Sequence, residues 1–139
     1  MRNLLLCLAV LLLLFTPART QQPAQPSEQP AIPEEFVKKP NPVKPTTESI
    51  AQGKRLYAVD CAFCHGANGD GKGEVAVSEN MNLKDLRDAA TLKGRTDGEI
   101  YYLLKKGRGH MPLEPIRSSP NDLWNLVNYV RSLPPKAAE

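Results

Sequence analysis

Apolar and polar residues alternate differently in successive parts of the chain. Leu4 to Phe15 is an unbroken apolar run behind the basic start Met1-Arg2-Asn3. From Gln21 to Thr46 no helical or strand period survives: Gln, Pro, Glu, Lys and Thr dominate, and Phe36 is the only aromatic. Helical spacing returns at Thr47. Ile50, Gly53 and Tyr57 share one side of a helix predicted to begin near Thr46 or Thr47 and to run to about Asp60. Thr96 followed by Glu99 reads as a capping box; Ile100, Leu103 and Leu104 follow at helical spacing, and Gly107 is a natural stop. Ser119 caps a last helix, with Pro120 in its first turn and Asp122 near the positive end of the dipole. Its apolar stripe is Leu123, Leu126, Val127 and Val130, and Pro134-Pro135 ends it. A shorter helix is expected around Asn82–Ala90. Val75 and Val77 alternate too briefly for a strand. The pattern therefore predicts an all-α domain over residues 47–133 with a short tail, 134–139.

The parts before it read as processing and connection. Residues 1–20 have the order of a secretory signal: positive start, apolar run, then a polar stretch with small residues that allows cleavage after Ala18. The apolar run is too short to cross about 30 Å of hydrocarbon comfortably, although an uncleaved anchor is the alternative. Cys7 lies inside that run behind Leu4-Leu5-Leu6, and reads as an apolar passenger lost on processing. Residues 21–46 are expected to be a disordered or polyproline-like linker, because so little apolar surface cannot offset the entropy of ordering.

Composition changes this picture in two ways. Eight of the 13 prolines fall between Pro17 and Pro45, so the excess belongs to the linker and not to the fold. The net charge of +3 gives no strong pull toward nucleic acid. Residues 48–133 hold twelve Lys or Arg against eleven Asp or Glu, which leaves the domain near neutral. Lys105, Lys106 and Arg108 cluster at a predicted helix end, where they complement the dipole or form a basic docking patch.

A domain of this size with so few large apolar residues is marginal alone. Cys61-Ala62-Phe63-Cys64-His65 offers what is missing. Two cysteines three positions apart, directly after a helix, can each add to one vinyl group on the same edge of a porphyrin, and the next residue brings an imidazole to the iron. Three other chemistries use the same residues. A thioredoxin-like pair wants a preceding strand, which the pattern lacks. A zinc site would have to draw on Cys61, Cys64, His65 and His110, and lacks the usual second cluster. A disulfide leaves His65 unexplained. For the opposite face of the iron the candidates are Met111, His110, Met81 or an open position. Met111 lies in the irregular loop Gly107-Arg108-Gly109-His110-Met111-Pro112, which Pro112 stiffens, and a thioether suits ferrous iron. Asn68 to Glu79 loosely matches a calcium-loop template, but Lys72 occupies a ligand position, and the glycines serve tight turns better.

Residues 47–133 resemble the class I cytochrome c domain of bacterial respiratory carriers and haem subunits. The resemblance runs in order through Gly53 and Tyr57, Cys61-Ala62-Phe63-Cys64-His65-Gly66, the loop Gly69-Asp70-Gly71-Lys72-Gly73, Ile100-Tyr101-Tyr102-Leu103-Leu104, Gly107, Met111-Pro112, Trp124 and Tyr129-Val130. It implies a cytochrome c-like fold of three to five helices around one haem c, covalently held by Cys61 and Cys64. First and last helices cross where Gly53 allows close approach beside Tyr129. It further implies His65 and Met111 as axial ligands, and one-electron transfer as the function. Where the family often has proline, this chain reads Asn80-Met81-Asn82-Leu83. The expected protein is a monomeric periplasmic electron carrier, not an enzyme. Its redox partners are a dehydrogenase, a cytochrome complex or a terminal oxidase. The other readings are a haem subunit fixed to such an enzyme and a sensor or peroxidase with an open iron face. Membrane contact is expected only if the signal segment is retained as an anchor.

Overall fold

Residues 31–112 and 119–135 are described by a computed structural model. The signal segment, with Ala18 and Cys7, lies outside these residues, as do 113–118 and 136–139. In chain order the described helices are α1 (Glu34–Val37), α2 (Thr47–Asp60), α3 (Ala62–His65), α4 (Glu74–Ser78), α5 (Ala89–Leu92), α6 (Asp97–Lys106) and α7 (Pro120–Arg131). Among the described residues the only β-type pairing is an isolated bridge between Arg108 and Met111. The all-α expectation is what forms.

Helices α2 and α7 cross at Gly53. A Cβ there would lie 2.1 Å from the Asn125 carbonyl oxygen and 2.7 Å from Tyr129 Cβ, so only glycine lets the backbones approach this closely. The crossing buries Leu126 and Val127 completely, each worth about 1.5–3 kcal/mol of apolar transfer. Tyr57 packs on Tyr129 with ring centroids 5.1 Å apart. The polar groups caught in this contact satisfy one another. Ser49 Oγ donates to Asn125 Oδ1 at 2.8 Å, and Asn128 Nδ2 donates to Ser49 Oγ at 2.8 Å and to the Val43 carbonyl at 3.0 Å. The anticipated capping box of Thr96 with Glu99 forms on α6, and on α7 the anticipated Ser119 cap closes into a second box with Asp122.

Two expectations are corrected. The helix around Asn82–Ala90 does not form; only Ala89–Leu92 is helical. Asp85 and Asp88 accept hydrogen bonds from the backbone N–H groups of Arg87 and Ala90, and such local capture competes with helical pairing. The Leu86 N–H meanwhile donates to the Gly69 carbonyl at 2.7 Å, tying this stretch to the glycine loop. Helix appears earlier instead, as α4, and the chain leaves it through Asn80 at φ 52°, a left-handed angle that asparagine tolerates.

The second correction concerns 31–46, expected to be a disordered or extended linker. This stretch straps across α6 and α7. Phe36 lies 4.8 Å from the Tyr102 ring and 6.3 Å from Tyr101, which itself stacks on Trp124 at 4.2 Å. Asn41 donates to Asn128 Oδ1 at 2.7 Å. Gly98 has no room for a Cβ because the Phe36 carbonyl oxygen would be 2.0 Å away. Prolines do forbid long regular structure here, but one aromatic and one amide suffice once a tertiary surface exists to receive them. The packed unit thus begins well before Thr47.

Candidate functional site

The site grows from the end of α2. The Cys61 N–H still donates to the Tyr57 carbonyl, after which α3 turns tightly: the His65 and Cys64 N–H groups both donate to the Cys61 carbonyl, at 2.8 and 3.1 Å. The glycine loop then folds back on α3. The Gly71 N–H donates to the His65 carbonyl at 2.8 Å and the Gly73 N–H to the Cys64 carbonyl at 3.1 Å. Gly69 and Gly71 have φ of 79° and 75°, which side chains rarely adopt. Among the described residues no three His, Cys, Asp or Glu side chains gather to hold a metal ion, and the glycines here serve the turn. The Tyr57 hydroxyl donates to the Gly66 carbonyl at 2.9 Å, pinning the turn after His65 to the core. Burial, chiefly, pushes that phenol far above its ordinary pKa, so it stays a proton donor.

Beside this turn lies a cavity of about 460 Å³. Its wall is mostly apolar, with Ile100, Leu104, Leu126 and Val130 from α6 and α7, and Cys61, His65 and Met111 line it together. Packed interiors leave few voids larger than a water molecule, whereas cofactor sites occupy roughly 300–1,000 Å³. The His65 Nδ1 is buried and finds no hydrogen-bond partner, a condition native interiors rarely tolerate. Burial lowers the imidazole pKa, which keeps the ring neutral and able to donate a lone pair to a metal. The residues present fit a haem: a large flat apolar group, a thiol at its edge and a neutral imidazole at its face.

The remaining sequence candidates separate cleanly. Met111 is brought to the cavity by a tight turn, in which Arg108 and Met111 exchange both backbone hydrogen bonds at 2.9 Å. Gly109 takes φ 60° at the first central position, as such two-residue turns require. His110, the other central residue, is exposed and does not line the cavity. Met81 lines a separate shallow recess with Ala76 and Asn80. Cys64 sits half-buried on α3, held through its carbonyl, and is not among the cavity-lining residues. Among the contributors that escaped the sequence reading, Leu92 at the end of α5 and Arg95 in the irregular connection after it line the cavity, and their spacing carries no signal.

Residues 48–130 match the family model described as cytochrome c oxidase, cbb3-type, subunit III. The chain belongs to that family. This cytochrome is 34% identical over 88 residues to the cbb3-type cytochrome c oxidase subunit FixP of Azorhizobium caulinodans, covering 63% of this chain and 28% of that subunit. Only about a quarter of such oxidase subunits is therefore spanned. It is also 31% identical over 84 residues to cytochrome c6 of Cladophora glomerata, covering 60% of this chain and 87% of that protein. A chain of the Kuenenia stuttgartiensis reducing HAO-like protein complex Kustc0457/Kustc0458 superimposes with a TM-score of 0.58 at 27% identity, over 76% of this chain and 50% of that one. The domain is a monohaem class I cytochrome c, and its cofactor is haem c.

Proposed function

We propose that this cytochrome is a single-haem electron carrier in which Cys61 and Cys64 hold the porphyrin edge by thioether bonds, with His65 and Met111 as axial ligands. The observation that carries the reading is that Cys61, His65 and Met111 line one apolar cavity while His110 is exposed and Met81 lies elsewhere. Haem, when bound there, supplies a one-electron iron couple. The chain's own residues do the rest. His65 offers a neutral imidazole whose backbone is fixed by the glycine loop. Met111 offers a soft uncharged thioether, which favours the ferrous state. Ile100, Leu104, Leu126 and Val130 exclude water, which favours the less charged state of the iron. With both faces taken by protein side chains, no position is left for a substrate, and a carrier rather than an enzyme follows.

Its partners are redox proteins such as a dehydrogenase, a cytochrome complex or a terminal oxidase. In this reading the carrier is a diffusible monomer, and a haem subunit fixed to one of these enzymes is the alternative. The segment Met1–Thr20 supports export to the periplasm, as a cleaved leader or as an anchor. No helix among the described residues is long and apolar enough to cross a membrane.

The test is spectroscopic. The oxidised protein should be low-spin with a weak far-red sulfur-to-iron band. Met111→Ala should abolish the band, lower the reduction potential and admit carbon monoxide to the reduced protein, whereas His110→Ala should leave all three unchanged. Loss of the low-spin signature in His110→Ala with its retention in Met111→Ala would overturn the assignment and make the haem bis-histidine.

A further inference from the structure

The connection between α5 and α6 is irregular, yet it forms part of the cavity rim through Leu92 at its start and Arg95 within it. Gly94 has φ 78°, and a side chain built there would meet nothing within 4 Å. What grips the rim comes from the last turn of α7. The Arg131 guanidinium donates through Nε to Asp97 Oδ1 at 2.9 Å, through Nη1 to the Leu92 carbonyl at 3.5 Å and through Nη2 to the Arg95 carbonyl at 2.5 Å. One rigid fork thus ties both ends and the middle of a six-residue stretch. A lysine ammonium, with a single point of charge, cannot reproduce those three directions.

The charges on the rim give this grip a consequence. Haem brings two carboxylates into a cavity whose wall is mostly apolar. The lining acids are occupied: Asp85 by a bidentate pair with Arg87 at 2.9 and 3.0 Å, and Asp88 by the Ala90 N–H. The lining cations are Lys84 and Arg95. Arg95 is about one-third exposed, and Glu99 lies 3.9 Å from its Nη1, too long for a firm hydrogen bond. Its guanidinium therefore has donor capacity to spare, and a carboxylate is the partner that planar fork fits best.

We propose that Arg131 is a positioning residue for the haem: by gripping Leu92, Arg95 and Asp97 it fixes the rim and holds the Arg95 guanidinium where a haem carboxylate enters. The proposal rests on the haem-carrier reading given above. Arg95 is the charge that meets the cofactor, and Arg131 acts through it.

Redox titration of the intact holoprotein tests this, with the far-red Met111 band recorded alongside. Arg95→Gln removes a cation beside the cofactor, and should shift the ferrous-to-ferric ratio at fixed ambient potential toward ferric by roughly five- to ten-fold. Arg95→Lys should restore most of that shift. Arg131→Lys keeps its charge but loses the fork, and should shift the ratio several-fold in the same direction. The double variant Arg131→Lys/Arg95→Gln should shift less than the product of the two, because one acts through the other. The Met111 band should persist throughout. If Arg131→Lys fails to fold, Asp97→Asn replaces it. Removing an acid would by charge alone favour ferrous iron, so a shift toward ferric has to come through the loosened rim. A lower unfolding temperature with an unchanged ratio in Arg131→Lys would make Arg131 a strut only and overturn the proposal; so would shifts that multiply in full. Absence of the Met111 band from the unmodified protein would instead strike the ligand assignment, a separate result.

Discussion

The crossing of α2 and α7 and the cavity beside α3 share residues but obey different rules. At the crossing every demand is met internally. Leu126 and Val127 are fully buried, and Ser49, Asn125 and Asn128 satisfy one another's polar atoms. At the cavity the demands point outward: Ile100, Leu104 and Val130 border a space of about 460 Å³, and His65 has a buried nitrogen with no hydrogen-bond partner in the chain. The contrast teaches that the crossing satisfies its own polar groups, whereas the site and the stability of the whole chain depend on the cofactor.

The largest expected effect separates the two regions outright. The double variant Cys61→Ala/Cys64→Ala, expressed with haem maturation available, should lose covalent haem and with it cooperative unfolding. Denaturing electrophoresis stained for haem and a thermal scan by circular dichroism read both. A sharp transition close to that of the holoprotein would erase the distinction, because the chain would then fill its core unaided.

A smaller effect probes the crossing alone. Gly53→Ala drives a Cβ against the Asn125 backbone, where nothing flexible can yield, and should cost about 3 kcal/mol in chemical denaturation of the holoprotein. The far-red Met111 band of the folded fraction should survive, since Gly53 does not line the cavity. A neutral outcome would mean that the helices are not in close contact.

The smallest effect concerns the cap of α7. Hydrogen bonds from the Ser119 backbone and hydroxyl hold the Asp122 carboxyl below its ordinary pKa of 3.8. A depressed folded-state pKa contributes stability that is present above the unfolded value and is lost as pH falls through the folded one. The holoprotein should therefore lose an increment of stability as pH falls from about 4, and Asp122→Asn should flatten that slope. Ser119→Ala should cost about 1 kcal/mol at neutral pH. An unchanged acid slope in Asp122→Asn would remove the cap from the account of the scaffold.

Much of this was legible because local rules and tertiary demands agree. Thr96 and Glu99, Ser119 and Asp122, and the stripe Leu123, Leu126, Val127, Val130 all signal within one or two turns, and all form as read. Cys61-x-x-Cys64-His65 was legible because its chemistry is local: both sulfurs and the imidazole must lie on one turn. The misreadings share a cause. Residues 31–46 look like a solvated linker until Tyr101 and Tyr102 offer Phe36 a surface, and the helix around Asn82–Ala90 fails because Asp85 and Asp88 capture their own backbone. Each depends on a partner or a competing local bond that hydrophobic period does not weigh.

The sequence alone therefore determined the helical class, the capped ends of α6 and α7, and the attachment motif, since each is written in residues a few positions apart. The tertiary structure decided which of Met81, His110 and Met111 shares a cavity with His65, because that depends on how a turn around Gly109 is carried across a distance the chain cannot encode locally. It also decided that Arg131, which reads as an ordinary basic residue at a helix end, reaches back more than thirty positions to Asp97. Hydrogen bonds and packing across such separations form only where α7 meets α6 and the connection before it, and no spacing rule anticipates them.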